Sequence, residues 1–176
     1  MALAGFAALP VHAQDASGDT HRQSGSASAR VALPLRATAE RDLSFGVFTV
    51  AEGQNGEIAV GALPGDAQFS GGVRPVCAGG DACSPHAALF AISGDSDRLY
   101  VFRLPRDVSL TGIRGGQAMI VTDLTGSSQN ARQTSGAGAL DGGGEDVFSV
   151  GGRLDVPGNA TPDSYSGEFT VTIDYL

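Results

Sequence analysis

The 176-residue sequence contains no tryptophan and no lysine, and all eleven of its basic residues are arginines. Only 17% of the residues are charged, and the formal net charge is −8. Nucleic-acid binding depends on basic residues that neutralise phosphates, so this balance argues against a general nucleic-acid-binding protein. The lack of lysine also excludes a lysine-dependent phosphate loop, although the chain is rich in glycine. No stretch approaches 18 apolar residues, so we expect no membrane-spanning helix.

Apolar residues make up 41% of the chain, which is too many for a disordered protein. The 26 glycines follow no three-residue period, and this excludes a collagen-like helix. The length is that of one domain and is sufficient for a sizeable core. The composition therefore predicts a single folded domain rich in turns.

The N-terminal segment, residues 1–13, is apolar and uncharged, and it ends in a small-x-small pattern at Ala13. We interpret it as the remnant of a signal peptide, which makes the protein exported, to the periplasm, the cell surface or the medium. A buried N-terminal helix is the alternative interpretation. Residues 14–28 contain no large apolar side chain and are predicted to form a flexible polar tail. The folded domain is then expected to span residues 29–176.

Short apolar runs recur between glycine-rich turns, without a sustained helical period. This pattern predicts an all-β fold, a single immunoglobulin-like sandwich of about eight or nine strands. Residues 31–37 are predicted to form a strand, and Pro34, which has no amide hydrogen to donate, indicates an edge position or a bend. Residues 125–145 are predicted to form a long loop. Gly151 and Gly152 divide the apolar run at 146–156, which indicates a bulge or bend.

The two cysteines, Cys77 and Cys83, are separated by five residues that include two glycines. A close, even-numbered pair in an exported chain predicts a disulfide bond. Zinc binding requires more ligands than this pair and the nearby His86 provide, and free thiols are the remaining alternative. We assign His86 no role in catalysis or binding.

Few groups in the sequence are suited to catalysis. His21 lies in the predicted tail, and there is no G-x-S-x-G nucleophile motif. We therefore predict that the protein is not an enzyme and has no cofactor. Asp95 and Asp97 could supply oxygen ligands to calcium, as could the glycine-rich run at 141–151, but solvated turns explain both more simply. Asn159 opens a glycosylation sequon that we interpret as a polar turn.

The last apolar run is the most regular in the chain. Its alternating apolar side chains are Phe169, Val171, Ile173 and Tyr175. Strict alternation of this kind predicts a strand with one face toward the core.

Three short patterns occur in a fixed order: Leu43–Gly46, Tyr100–Pro105, and a glycine pair at 151–152 that leads to the terminal strand. In this order they resemble an uncharacterised domain family of exported proteobacterial proteins, which in turn resembles the spore-coat-U-type subunits of archaic chaperone–usher pili. The resemblance implies an immunoglobulin-like sandwich without catalytic residues. It also implies a structural subunit of a fimbria-like filament or coat, with copies of itself, homologous subunits and a periplasmic chaperone as partners.

The resemblance assigns the terminal strand from Phe169 to Tyr175 to subunit assembly. Asp163 stands where many such pilins have glycine, and no alternating donor strand precedes Ser28. Residues 31–37 are the candidate donor, although Pro34 favours a strand paired within its own sheet. The alternative function is a monomeric periplasmic or cell-surface module that binds a glycan or calcium.

Overall fold

The computed structural model describes most of the chain, in four ranges: residues 28–65, 67–76, 83–131 and 136–176. Residues 1–27, which include the predicted signal peptide and nearly all of the predicted tail, lie outside the described residues. The chain divides into two units, residues 1–31 and 32–176, and the fold below is that of the second unit.

The described residues form thirteen β-strands and no helix, so the predicted all-β class is confirmed. None of them could therefore provide a helix that crosses a membrane. In chain order the strands are β1 Arg36–Arg41, β2 Phe48–Val50, β3 Gly56–Val60, β4 Gln68–Gly71, β5 Val73–Pro75, β6 Ala88–Ser93, β7 Leu99–Arg103, β8 Val108–Gly112, β9 Met119–Ser128, β10 Ala137–Ala139, β11 Glu145–Val156, β12 Tyr165–Ser166 and β13 Thr172–Tyr175.

The main sheet is built around β11, the longest strand. The first half of β11 pairs with β6 and its second half with β3, while β9 pairs along its other edge. The sheet continues through β8 to β12 on one side and through β6 to β1 on the other. The register against β9 shifts between Gly151 and Arg153, which confirms the bulge predicted at the glycine pair.

A second layer covers the main sheet only in part, which gives a sandwich-like arrangement. At one end lies the three-stranded sheet β10-β7-β13, and at the other end lies the pair β2-β5. One core cluster joins β7 to β6 and β11 through Tyr100, Phe102 and Phe148. A second cluster joins Phe45 and Val73 to the far half of the main sheet. Between these two parts of the second layer, the main sheet is left partly open.

The predicted edge strand at residues 31–37 is largely wrong. Residues 31–35 are not in a strand, and β1 begins only at Arg36, two residues after Pro34. The fixed geometry of proline and its missing amide hydrogen explain why pairing begins after it. β1 then forms an edge of the main sheet, paired with β6.

The long loop predicted at residues 125–145 is also wrong in part, at its start and in its interior. β9 continues to Ser128, and β10 occupies Ala137–Ala139. Ser127 and Ser128 are almost completely buried. A strand made of small polar residues has the same amino-acid composition as a loop, so the sequence pattern alone does not distinguish a strand from a loop here.

Candidate functional site

The candidate site begins with a bent ribbon of two antiparallel chain segments. Its first part is the pairing of β1 with β6 in the main sheet, and its second part is the pairing of β2 with β5 in the second layer. The two parts are joined by a bridge in which Ser44 and His86 exchange both backbone hydrogen bonds, at 2.9 and 2.8 Å. The ribbon therefore changes from one layer to the other and forms a corner.

An open groove of about 1000 Å³ lies inside this corner. One wall is the ribbon segment at 42–50, and the other is the segment at 160–169. The floor is the apolar inner face of the main sheet, with side chains that include Ala88, Phe90, Leu110, Val121, Leu124 and Leu154. Phe90, Leu110 and Leu124 are only half-buried, so part of this apolar floor is accessible. A groove of this volume is at the upper end of the range for ligand pockets.

The C-terminal segment borders the groove at Phe169. The four alternating apolar side chains are half-buried and pack against the core cluster around Tyr100, whereas Thr170, Thr172 and Asp174 are exposed. The predicted alternation of faces is therefore present. The paired part, β13, is shorter than the predicted strand, and within the described residues it pairs only with β7.

The phenol of Tyr175 connects the two ends of the described domain. Its hydroxyl donates a hydrogen bond to the carbonyl of Leu33 at 2.9 Å and accepts one from the amide of Asp95 at 2.6 Å. The guanidinium of Arg98 lies 5.3 Å from the ring centroid, within the range of a cation–π contact. Gly94 lies so close to the hydroxyl that a Cβ atom at this position would collide with it.

Substitution of Tyr175 by Phe removes both hydrogen bonds and keeps the ring in place. We expect a loss of about 1–2 kcal/mol in the free energy of unfolding and roughly tenfold faster hydrogen exchange at the Asp95 amide. Denaturant titration and amide exchange measure these effects. Tyr165→Phe is the matched control, because its hydroxyl contacts Thr161 instead. An unchanged exchange rate at the Asp95 amide in the Tyr175→Phe variant would contradict the hydrogen bond between Asp95 and Tyr175.

A buried polar network lies between the main sheet and β7 of the second layer. The carboxylate of Asp146 accepts hydrogen bonds from the hydroxyls of Tyr100, at 2.7 Å, and Ser128, at 2.5 Å, and from the amides of Asn130 and Val147. Tyr100 is completely buried, and Ser128 and Asp146 are nearly so. Burial, together with the hydrogen bond to Asp146, raises the pKa of the Tyr100 phenol well above its ordinary value. Tyr100 therefore remains a hydrogen-bond donor, and the network ties β7, β9 and β11 together.

The sequence analysis did not predict this network, although the sequence contains one signal for it. Asp146 has the same strand parity as Phe148 and Val150, so alternation alone places its side chain on the buried face. A buried carboxylate requires several donors. Those donors come from distant strands and could not be identified from spacing.

The two turns considered for calcium meet in the structure. The amide of Asp97 donates to the carbonyl of Asp141, and the amide of Gly94 donates to the carbonyl of Gly144. The Asp141 carboxylate accepts hydrogen bonds from the amides of Gly143 and Glu145 within its own turn. Across the described ranges, no group of three histidine, cysteine or acidic side chains is placed to hold a metal ion.

The remaining candidates are separate from one another. Cys77 lies outside the described residues, so the disulfide with Cys83 stays a prediction. A ring nitrogen of His86 lies 2.9 Å from the carbonyl of Ser84. Asn159 is exposed in a turn closed by the hydrogen bond from Ala160 to Pro157.

Comparison with known proteins adds one finding. A family model described as a domain of unknown function (DUF4402) matches residues 35–175, which include all thirteen of the described strands. No curated protein and no solved structure matches the chain.

Proposed function

Since the chain belongs to the DUF4402 family of domains of unknown function, we propose a function from its own geometry. We propose that it is a non-catalytic, exported structural subunit of a fimbria-like surface filament or coat. The observation that carries this proposal is the open apolar groove beside the C-terminal segment. The resemblance of the sequence to spore-coat-U-type pilin subunits supports the same role.

The groove is suited to an extended peptide segment. Its floor is a sheet face, its two walls are chain segments, and it borders a short edge strand, β12. A strand that enters such a groove gains main-chain hydrogen bonds from an open edge and places alternate side chains on the apolar floor. The half-buried side chains of Phe90, Leu124 and Phe169 are the surface that such a strand would cover.

We assign the occupant to the segment that precedes β1 in a second copy of the chain. Val31, Leu33 and Leu35 alternate in this segment, and Leu33 is 61% exposed in the structure. Arg36 and Ala37 pair with β6 in their own sheet, so they are not part of the donor. Release of the segment breaks the hydrogen bond between Tyr175 and Leu33, which costs about 1 kcal/mol. It also removes the half-buried side chain of Leu35 from the core cluster around Tyr100.

A monomeric binding module is the second candidate function. The specific observation in its favour is the polar rim of the groove, where Arg41, Asp42, Asp163 and Glu168 surround the apolar floor. A small number of polar groups around an apolar cleft is typical of ligand sites. In that case the groove takes a glycan or another ligand, and the chain stays monomeric.

Filling the groove tests the filament proposal. Ala39 lines the groove from β1, and the neighbouring Thr38, whose side chain points to the opposite face, does not. We expect Ala39→Trp to reduce self-association at least tenfold, because the indole occupies the space of the incoming strand, and Thr38→Trp to have little effect. Size-exclusion chromatography and electron microscopy of the purified exported chain measure association. Thermal unfolding checks that both variants are folded.

Two results would reject the filament proposal. The first is a native chain that stays monomeric at millimolar concentration, which favours the binding module. The second is equal association of the Ala39→Trp and Thr38→Trp variants, which would place the contact outside the groove. A chain that begins at Arg36 should keep its fold and fail to associate if the preceding segment is the donor.

A further inference from the structure

We propose that β1 pairs edge to edge with β1 of a second copy of this chain, in antiparallel orientation and about a two-fold axis at Thr38. The inference goes beyond the proposed filament, because it concerns a different surface and does not depend on what occupies the groove. Arg36 and Glu40, the two charged residues that carry it, do not line the groove.

The edge of β1 that faces away from β6 is open. Among the strands of the described fold, β6 alone pairs with β1. All six residues of β1 are exposed, including Ala37 and Ala39, which lie opposite the core-facing Ile92 and Phe90 of β6. Alanines at both of these positions leave room for an incoming strand. An open edge presents a row of backbone donors and acceptors, which is a template for a further strand.

This open edge has a definite length. At its start, Leu35 packs against the core cluster that joins β7 to β6 and β11, so the chain turns into its own domain before the strand begins. Beyond Ala39 the register against β6 shifts, and Nε of Arg41 donates a hydrogen bond to the carbonyl of Ala87 at 3.1 Å. Residues 36–40 are therefore the part of the edge that can pair with a second strand.

The charges of this edge complement each other across a two-fold axis. Arg36, Thr38 and Glu40 are spaced two residues apart and share one face of the strand. Antiparallel pairing centred on Thr38 places Arg36 of each copy opposite Glu40 of the other. Within one strand these two residues are about 13 Å apart, too far to pair with each other, and neither has an ion-pair partner in the described ranges. Opposite charges that face each other across a ladder stabilise it, and the axis supplies two such pairs.

The same residues determine the register of the pairing. Residues opposite each other in a ladder have side chains on the same face, so the register can change only in steps of two residues. A step in one direction places Pro34, which has no amide hydrogen, opposite Glu40. A step in the other direction brings the register shift after Ala39 inside the ladder. Both steps lose the pairs between Arg36 and Glu40, so the register centred on Thr38 is favoured.

The contact is isologous and closes with two copies of the chain. It joins the two main sheets into one continuous sheet, and it cannot by itself extend into a filament. The pairing of β1 is therefore a separate contact from the entry of a donor segment into the groove, and the two contacts have different experimental readouts.

Chemical cross-linking of the full chain tests the position of the axis. In the Thr38→Cys variant the two new side chains face each other, with Cβ atoms about 4.5–5.5 Å apart. We expect a short bismaleimide cross-linker to give a covalent dimer roughly tenfold faster than in the Ser109→Cys variant, where the cysteine is exposed on β8 at the other side of the main sheet. The wild-type chain measures the background from its own two cysteines. Denaturing electrophoresis measures the dimer.

Charge reversal in the Thr38→Cys background tests the register. We expect Glu40→Arg and Arg36→Glu each to slow cross-linking roughly tenfold, because the axis repeats every repulsive pair. The double variant Arg36→Glu/Glu40→Arg exchanges the two charges and should restore the rate to within about twofold of the Thr38→Cys chain. Thermal unfolding checks that each variant is folded.

Cross-linking of Thr38→Cys that is no faster than that of Ser109→Cys overturns the inference. It is also overturned if the single reversals have no effect, or if the double variant cross-links as slowly as they do. Electron microscopy of the same variants scores filaments separately. Loss of cross-linking in Glu40→Arg with filaments unchanged supports the inference and leaves the filament proposal standing. Fast, charge-dependent cross-linking in chains that never form filaments supports the inference and rejects the filament.

Discussion

Replacement of Asp146 by Ala should destabilise the domain by about 3–5 kcal/mol. The substitution removes the acceptor for the hydroxyls of Tyr100 and Ser128, both of which are buried among apolar neighbours. Each buried donor left without an acceptor costs about 1–3 kcal/mol, and the cavity adds to this. Chemical denaturation measures the change in the free energy of unfolding.

The matched control is Asp155→Ala, on the same strand but exposed to solvent. It should change stability by no more than about 0.5 kcal/mol. Asp146→Asn keeps the shape and one acceptor oxygen, so its loss should be smaller than that of Asp146→Ala. Equal stabilities of the Asp146→Ala and Asp155→Ala variants would show that the network does not hold the three strands together.

Replacement of Ile173 by Asp should cost about 3 kcal/mol. The side chain of Ile173 is half-buried against the cluster of Tyr100, Phe102 and Phe148, so the substitution loses apolar burial and places a carboxylate beside aromatic rings. Thermal unfolding, monitored by far-UV circular dichroism, measures the shift. The loss applies whether or not the chain assembles, so the experiment tests the strand register and not the function.

Thr172→Asp provides the comparison, because Thr172 is exposed on the opposite face of β13. Its unfolding temperature should stay close to that of the native chain. A larger loss for Thr172→Asp than for Ile173→Asp would mean that the strand is shifted by one residue, since such a shift reverses every side chain.

Local patterns in the sequence were sufficient for the terminal strand and for the bulge in β11. Alternation of apolar residues determines which side chains of a strand face the core, and adjacent glycines permit a local break in register. Both features depend only on neighbours in the chain. The all-β class could be predicted for the same reason, because each strand is indicated by a local pattern of this kind.

The groove could not be predicted in this way. It exists because the second layer is interrupted between β2 and β13, strands more than a hundred residues apart in the chain. No local pattern records a gap between distant segments. The start of β1 was misplaced because residues 31–35 alternate as a strand would, although no pairing partner lies beside them in the described fold. Periodicity shows which face a strand could bury, and it does not show whether a partner is present.

The direction of β1 has a mechanical consequence for a filament. In the proposed filament, the donor segment would leave the domain at the Arg36 end of β1, while the groove lies at the Ala39–Arg41 end of the same strand. Tension passed from one subunit to the next would then run along β1 and load its hydrogen bonds to β6 in shear. Bonds loaded in shear share the force and fail together, whereas bonds at an unzipping end fail one by one. The edge strand of the main sheet is thus the element that would carry the tensile load.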